Sequence, residues 1–352
     1  MNAPAPRPGL REVGPYDSPQ IDVAARLNTN ECPLPLPDGF SEDLAAAVRD
    51  LPLNRYPDGQ LRALREALAA RTGQPVEGVW VANGSNEILT QLLQAYGGPD
   101  RRAAVFEPTY LLHRRLCWLT QTGIIERRLE PPFAIEDDAV SWLSSEQPDV
   151  TFVCSPNNPT GNAQSLDAIH SVADEAGGLV IVDEAYVDFG GETALPLIAE
   201  HPNVAVVRTF SKSFALAGAR IGYVLAAPEV VQDLERVRLP YHLSALTQTA
   251  ALVALKHTDE AMAALDALRT ERDRIIRELS TINGVTVFPS QANFVLFRPP
   301  GDAQEVWRQL LERGVLIRDL TQVVDGGLRV TAGTTHEVDL FLKALEEVLG
   351  PR

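Results

Sequence analysis

The sequence is poor in cysteine and in long apolar runs, and each shortage excludes a class of structure. Of its 352 residues only three are cysteines, widely spaced and without a CxxC pair. Neither a disulfide framework nor a thiolate zinc site is therefore indicated. The six histidines form no HxxxH or HExxH pattern, so we expect no bound metal. No run reaches the roughly 18 apolar residues that a transmembrane helix needs.

The charge balance is acidic, with 47 Asp and Glu residues against 31 Lys and Arg and a formal net charge of −16. Such a surface repels nucleic acid and anionic membranes, so we expect neither as a partner. Residues 1–6 lack the apolar core of a secretory signal. The sequence thus favours a cytoplasmic protein.

Lysine accounts for only three of the 31 Lys and Arg residues, and one of the three, Lys212, follows several polar motifs in the sequence. A guanidinium stays protonated at any working pH, whereas a desolvated lysine can lose its proton and attack a carbonyl. Lys212 follows an apolar run at residues 204–207 that predicts a buried strand, and it lies between two serines where we expect a loop. Residue type alone favours an ordinary surface lysine, and the upstream motifs decide against that interpretation.

Two upstream strands end in polar motifs. The apolar runs that predict these strands are residues 150–154 and 179–182. The first leads into SPNNPTG, which contains Asn158, and the second into DEAY, which contains Asp183 and Tyr186. In open α/β sheets, ligands bind at the carboxyl ends of the strands. We therefore expect these three side chains and Lys212 to lie in one crevice.

Together these motifs resemble those of the fold-type I pyridoxal-phosphate aminotransferases, and in particular the histidinol-phosphate aminotransferase family. SPNNPTG, DEAY and SKSFALAGAR occur in the family's order, with 25 residues from Asn158 to Asp183, 29 from there to Lys212 and eight more to Arg220. The resemblance covers nearly the whole chain, from about residue 10 to residue 349, and includes LNTNE, LNRYPD, NGSNEIL and RLPYHLS.

The resemblance implies an α/β protein with a mainly parallel central sheet in a large domain and a smaller α+β domain. The expected divisions are an N-terminal arm at residues 1–35, a large cofactor-binding domain at 36–258, a linking helix at 259–279 and a small domain at 280–352 that packs with the arm. Independently, residues 259–279 contain no Gly or Pro, which is typical of a long helix. Further helices are predicted at residues 41–49, with Ser41 as N-cap, and at 88–95.

For the cofactor ring, the resemblance implies that Lys212 binds pyridoxal 5'-phosphate covalently and also moves the proton. Asp183 is expected at the pyridine nitrogen, and Asn158 and Tyr186 at the phenolic oxygen. Tyr110, in a PTY motif, is expected to stack on the ring, a role suited to a rigid aromatic face.

For the cofactor phosphate, the resemblance implies contacts from Ser85, Asn86, Ser211 and Arg220. The first two follow a strand and a glycine and precede the helix predicted at 88–95, a turn whose backbone N–H groups suit an anion. The family places Tyr56, in LNRYPD, at the phosphate of the neighbouring subunit. The resemblance therefore implies a homodimer.

For the substrate, the resemblance implies Arg329 in LRVTAGT as the anion-binding residue, assisted by Arg318, with Tyr16, Asn30 and Tyr56 lining the site. The implied reaction, a step of histidine biosynthesis, interconverts L-histidinol phosphate and 2-oxoglutarate with imidazole acetol phosphate and L-glutamate. A planar guanidinium binds either the phosphate or the carboxylate of these substrates.

Other functions fit parts of the same pattern. An aromatic amino-acid aminotransferase is the main alternative, and a threonine-phosphate decarboxylase would carry the same cofactor residues. A nicotinamide-dependent oxidoreductase would need a GxGxxG motif after a strand, which the sequence lacks. A regulator built on this fold would need an added DNA-binding domain, and only a short Pro-rich arm precedes the expected catalytic body.

Overall fold

The computed structural model describes residues 4–7, 10, 14 and 19–350. The strands are β1 Ala25–Arg26, β2 Val79–Ala82, β3 Arg102–Glu107, β4 Gly123–Arg128, β5 Val150–Cys154, β6 Leu179–Asp183, β7 Val204–Thr209, β8 Gly222–Ala226, β9 Thr286–Val287, β10 Phe294–Arg298, β11 Val315–Leu316, β12 Arg318–Asp319 and β13 Leu328–Thr331. The α-helices are α1 Phe40–Arg49, α2 Arg62–Thr72, α3 Ser85–Tyr96, α4 Leu111–Thr120, α5 Asp137–Glu146, α6 Leu166–Glu175, α7 Phe210–Ser213, α8 Pro228–Val237, α9 Ala245–Lys256, α10 Thr258–Leu279, α11 Ala303–Glu312 and α12 Thr335–Leu349. None of the helices in these residues is long and apolar enough to cross a membrane.

A seven-stranded sheet forms the centre of the molecule, in the order β2-β8-β7-β6-β5-β3-β4. Its pairs are parallel except those of β8, which runs against both β2 and β7. The prediction of a mainly parallel sheet is confirmed. Because the carboxyl ends of β5, β6 and β7 lie at one edge, the motifs that follow them meet there.

Both faces of this sheet are buried, which explains the near-continuous apolar sequence of its strands. Alternate residues of a strand point to opposite faces. Val180 and Val182 therefore pack in the core that contains α2, α5, α6 and α9, whereas Leu179 and Ile181 pack in the core that contains α3, α4 and α8.

A second, antiparallel sheet, β12-β13-β10-β9, lies in the C-terminal region and packs with α10, α11 and α12. The N-terminal segment joins this region, because β1 pairs in parallel with β11 and Ala25 lies opposite Val315. The segment then continues as residues 27–31 toward the edge of the central sheet. The domain boundaries given above stay predictions.

Several predicted element ends were wrong. Helix α1 begins at Phe40 and not at Ser41, because Gly39 takes the N-cap position with a left-handed φ of 79°. Helix α3 begins at Ser85, three residues before the predicted start. The loop expected around Lys212 is the short helix α7, which begins where the Thr209 side chain accepts a hydrogen bond from the Ser211 N–H.

Candidate active site

A cavity of about 560 Å³ opens at the carboxyl ends of β5, β6 and β7. The four side chains expected in one crevice, those of Asn158, Asp183, Tyr186 and Lys212, all line it. This positional prediction is confirmed. Further residues singled out in the sequence also line the cavity, namely Asn30, Ser85, Asn86, Tyr110, Ser211, Arg220, Arg318 and Arg329.

The amine of Lys212 is held by the N-terminal segment. Its Nζ donates hydrogen bonds to the carbonyl oxygens of Thr29, at 3.1 Å, and Asn30, at 2.8 Å. The same nitrogen lies 5.8 Å from the centre of the Tyr186 ring. Lys212 thus reaches the cavity from helix α7, which follows strand β7, and contacts the segment that follows β1.

The surroundings of Lys212 favour its neutral form. Burial lowers the pKa of the amine from its ordinary 10.5 to about 8, and the positive charges of Arg329 and Arg220 act in the same direction. The carboxylate of Glu31 opposes them and raises this pKa. A substantial fraction of the amine is therefore neutral, and able to act as a nucleophile or base, near neutral pH.

Asp183 ends β6, and its residue is only 3% exposed. One carboxylate oxygen accepts a hydrogen bond from the Ala185 N–H at 3.2 Å, and the other lies 3.3 Å from Nε2 of His113. His113 is fully buried and stacks on Phe152, with ring centroids 4.4 Å apart. A buried carboxylate supported on two sides is suited to holding a proton on a ligand nitrogen.

Tyr186 and the N-terminal segment share a hydrogen-bond network. The Asn30 side chain donates to the Tyr186 hydroxyl at 3.0 Å, and the Thr331 hydroxyl donates to the Asn30 side-chain oxygen at 3.1 Å. Burial raises the pKa of Tyr186 to about 12. The phenol therefore stays protonated at working pH and can donate a hydrogen bond to an anionic oxygen.

Arg318 and Arg329 lie directly opposite each other on β12 and β13. Arg329 is 7% exposed and donates to the carbonyl oxygen of Asn28 at 2.9 Å and to the side-chain oxygen of Asn158. Its guanidinium also lies over the Phe294 ring. Two neighbouring guanidinium groups at one cavity wall form a binding site for an anion.

The N-terminus of α3 forms a second anion-binding feature. Gly84 precedes the helix with a φ of 83°, and a Cβ on it would lie 2.6 Å from an Arg220 guanidinium nitrogen. Arg220 also donates to the Ser211 hydroxyl at 3.3 Å. The helix N–H groups, this guanidinium and the hydroxyls of Ser85 and Ser211 thus surround one corner of the cavity.

The family model for class I and class II aminotransferases matches residues 24–345. The chain belongs to this aminotransferase family. A curated relative named histidinol-phosphate aminotransferase, from Frankia casuarinae, is 46% identical over 97% of this chain and 90% of its own length.

Solved structures of an aminotransferase and of a decarboxylase share this fold. Histidinol-phosphate aminotransferase from Sinorhizobium meliloti, solved in complex with pyridoxal-5'-phosphate, has a TM-score of 0.83 and 25% identity over 93% of this chain and 91% of its own. L-threonine-O-3-phosphate decarboxylase from Porphyromonas gingivalis has a TM-score of 0.81 at 24% identity, over 92% of this chain and 99% of its own. The second likeness shows the fold alone.

One residue expected at the aminotransferase site, Tyr56, does not line the cavity of this chain. Tyr56 is 80% exposed and stacks on Tyr241, with ring centroids 4.4 Å apart. Its predicted contact is with the neighbouring subunit. Tyr16 lies outside the described residues.

The sequence did not predict the role of His113, which contacts the Asp183 carboxylate. The histidines were judged only by their spacing from one another, whereas the partner of His113 is Asp183, 70 positions away. A local signal did exist, because His113 lies three residues after Tyr110 and the two rings meet edge to face at 5.5 Å. Residues at that spacing share a helix face.

Proposed function

We propose that the chain is a pyridoxal-phosphate-dependent transaminase that interconverts L-histidinol phosphate and 2-oxoglutarate with imidazole acetol phosphate and L-glutamate, in histidine biosynthesis. The observation that carries this proposal is one cavity in which a lysine with a lowered pKa lies between two separate anion-binding features. One feature suits the phosphate of the cofactor and the other suits the phosphate or carboxylate of a substrate. The curated relatives with this activity in their names support the choice of substrate.

The residues of the cavity fit the cofactor. The corner formed by Ser85, Asn86, Ser211 and Arg220 offers N–H, hydroxyl and guanidinium donors, and the absence of a Cβ on Gly84 leaves room for Arg220 to approach the helix. Charge-assisted contacts of this kind contribute about 1.5–3 kcal/mol each.

At the ring end of the cavity, Asp183 would hold a proton on the pyridine nitrogen, and Tyr110 would cover the ring face. Asn158 and Tyr186 would donate hydrogen bonds to the phenolic oxygen. Pyridoxal phosphate supplies the electron sink that stabilises the carbanion formed next to the substrate amine.

The proton transfer falls to Lys212. Its amine would take the proton from the substrate carbon that carries the amino group and would then donate a proton to the carbon derived from the cofactor's aldehyde group. A pKa near 8 suits both the basic and the acidic role. Asn30 would keep the Tyr186 hydroxyl in place, and Arg329, with Arg318 beside it, would bind the distant anion of each substrate.

A homodimer is part of the proposal. Tyr56 and Tyr241 form an exposed aromatic pair, and Leu53 and Leu239 are also more than half exposed. We infer that a second copy covers this surface and receives Tyr56 at its cofactor phosphate. The cytoplasmic location expected from the sequence stays a prediction.

The substrate proposal predicts a selective half-reaction. Purified holoenzyme is mixed, without an amino acceptor, with L-histidinol phosphate or with L-phenylalanine at the same low concentration, and the visible absorbance of the bound cofactor is followed. We expect rapid loss of absorbance with L-histidinol phosphate and a much slower change with L-phenylalanine. The phosphate of the former carries about −1.5 to −2 charge and can pair with both Arg329 and Arg318, whereas the carboxylate of the latter carries a single charge.

Two variants serve as controls for this experiment. Lys212→Ala removes the amine and should lower turnover by at least about 10²-fold. Lys212→Arg keeps a cation and should be equally inactive, because a guanidinium does not exchange protons at this pH. A faster response to L-phenylalanine would instead assign the chain to the aromatic aminotransferases, and full turnover by either variant would exclude Lys212 as the proton carrier.

A further inference from the structure

Two histidines and two carboxylates meet on the surface far from the active site. His170 and Asp174 lie on α6, and Glu200 and His201 lie in the turn before β7. His170 Nδ1 is 3.1 Å from an Asp174 oxygen, His170 Nε2 is 3.8 Å from a Glu200 oxygen, and His201 Nδ1 is 3.7 Å from the other Asp174 oxygen. The two imidazole rings meet edge to face with centroids 4.7 Å apart.

We propose that this cluster binds a divalent transition-metal ion of the zinc type. His170, Glu200 and His201 each offer one ligand atom, and these three atoms lie within 4.8 Å of one another. Bonds of about 2.0–2.1 Å in a tetrahedral zinc site place ligand atoms about 3.3 Å apart. Small side-chain rotations would bring the three atoms to that separation. Asp174, 3.1 Å from His170 Nδ1, would orient that ring so that its Nε2 faces the ion.

The two elements that carry the ligands are already fixed relative to each other. His170 and Asp174 are four residues apart and share a helix face. The Asn203 side chain donates to the carbonyl oxygens of Ala173, at 3.1 Å, and Gly178, at 3.3 Å, and so ties the turn to the end of α6. A site whose backbone is preorganised loses less conformational entropy when the ion binds.

The exposure of the two histidines also suits an ion site. His201 is only 12% exposed, and its Nε2 is buried without a hydrogen-bond partner in the described part of the chain. His170 is 42% exposed, so an ion can approach from solvent. Neutral imidazole nitrogens and carboxylate oxygens together are typical zinc ligands, whereas magnesium and calcium prefer oxygen ligands alone.

The cluster lies away from the active site, so we expect the ion to stabilise the fold and to take no part in the reaction. Glu200 and His201 precede β7 at its amino end, whereas Lys212 follows its carboxyl end, so the length of the strand separates the two sites. An ion held by α6 and this turn would join a helix on one face of the sheet to the start of a central strand. It would stabilise the fold and leave the chemistry of transamination unchanged.

No metal was expected from the sequence, because the histidines match no motif whose ligands are close in sequence. The ligands here lie on two elements about 30 residues apart that the sheet topology brings together. The alternative for the same contacts is a set of ion pairs between protonated histidines and carboxylates, which the test below separates from a metal site.

The test is a zinc titration of the holoenzyme by isothermal titration calorimetry in a non-chelating buffer near pH 7.5. We expect saturable binding of one ion per chain, weakened about tenfold or more by His170→Gln and by His201→Gln. His336→Gln, which removes an exposed histidine of α12, should leave binding unchanged. Zinc should also raise the melting temperature of the wild type and not that of the two ligand variants.

The transamination rate should be the same with zinc and after its removal by a chelator. Absence of saturable binding would overturn the proposal in favour of ion pairs. Binding that survives both ligand substitutions would place the ion elsewhere, and a chelator-dependent loss of turnover in the wild type would overturn its structural role.

Discussion

At the scale of single residues, Lys212 is controlled by charges that act in opposite directions. Arg329 and Arg220 lower the pKa of its amine in addition to burial, whereas Glu31 raises it. Each of these charged side chains also lines the cavity, so the groups that would bind ligands also set the protonation of the lysine.

This balance predicts a pH profile for the apoprotein. The rate of covalent cofactor attachment should rise with pH, reach half of its maximum near pH 8 and level off above that, because only the neutral amine reacts. Arg329→Gln removes a positive charge and should move the midpoint to higher pH. Glu31→Gln removes a negative charge and should move it to lower pH. The measurement is the rate of appearance of the visible cofactor band across pH.

The same shift has a consequence for the stability of the apoprotein. The folded-state pKa lies below the unfolded value, so between about pH 8 and 10.5 the unfolded chain binds more protons at Lys212 than the folded one. This group's contribution therefore makes the free energy of unfolding rise with pH across that window.

The pH profile of cofactor attachment also tests the opposing charges. If the midpoints of Arg329→Gln and Glu31→Gln moved in the same direction, the assignment of these charges would be contradicted.

Part of the candidate site could be predicted from the sequence because each of those residues lies in a short motif next to a strand end. Asn158, Asp183 and Lys212 are of this kind. The contact between His113 and Asp183 could not be predicted, because the spacing from Tyr110 indicates only a shared helix face, whereas the contact depends on how α4 packs on the central sheet. The same holds for the two backbone oxygens that hold the Lys212 amine, since a carbonyl oxygen has no residue-type signal.

At the scale of elements, the start of α3 is packed against β8 as closely as backbone allows. A Cβ on Gly222 would lie 2.2 Å from the Ser85 nitrogen and 2.4 Å from the Gly84 carbonyl carbon. These are backbone atoms, so the contact cannot be relieved by a side-chain rotation. The position of the helix N-terminus therefore depends on a glycine in a neighbouring strand.

Gly222→Ala should consequently weaken cofactor binding and reduce stability. The added methyl group must push the N-terminus of α3 away from β8, with an overpacking cost of about 1–3 kcal/mol. Equilibrium titration of the apoprotein with pyridoxal phosphate and denaturant unfolding measure the two effects.

Gly123→Ala is the matched control, because it adds the same methyl group to an exposed glycine of the edge strand β4, 3.3 Å from the Arg101 carbonyl oxygen. It should change stability only slightly and leave the cofactor affinity at the wild-type value. Equal losses of affinity in both variants would show that the close packing at Gly222 has no special role.

Strands β5, β6 and β7 of the central sheet could be predicted because apolar runs of four or five residues end in polar motifs. Strand β5 was predicted with both of its ends, Val150 and Cys154. Helices α4 and α6 were not predicted. In α4 the sequence LLHRRLCWLT places a histidine and two arginines in the middle of the pattern, and the buried His113 occupies a position that looks polar in sequence.

At the scale of the whole molecule, the exposed surface around Tyr56 is the part that a single chain leaves unexplained. Tyr56 stacks on Tyr241, and these two rings and the side chains of Leu53 and Leu239 are all exposed. Apolar patches of this kind mark protein interfaces.

The dimer proposal predicts complementation between two inactive chains. Tyr56→Ala should lower turnover by about 10–100-fold through the lost phosphate contact, and Lys212→Ala should lower it by at least about 10²-fold. A hybrid dimer then contains one intact site, which combines Lys212 of the first chain with Tyr56 of the second. Unfolding and refolding an equal mixture should restore about a quarter of wild-type activity.

The controls are each variant refolded alone and the molar mass by light scattering. Recovery in the mixture with a dimeric mass supports a shared site. A monomeric mass, or a mixture no more active than the Tyr56→Ala chain at the same concentration, would contradict the exchange of Tyr56 between subunits.

The registration of the parallel strands limits which changes of chain length the molecule tolerates. Cys154 lies opposite Asp183, and Asp183 lies opposite Val207, so each strand reaches the cavity at a fixed level. A substitution within a strand leaves that level unchanged. One inserted or deleted residue moves the following side chain by about 3.3 Å and turns it to the opposite face. Insertions and deletions in this lineage should therefore accumulate in the connections at the amino ends of the strands, where neither Asp183 nor Lys212 is displaced.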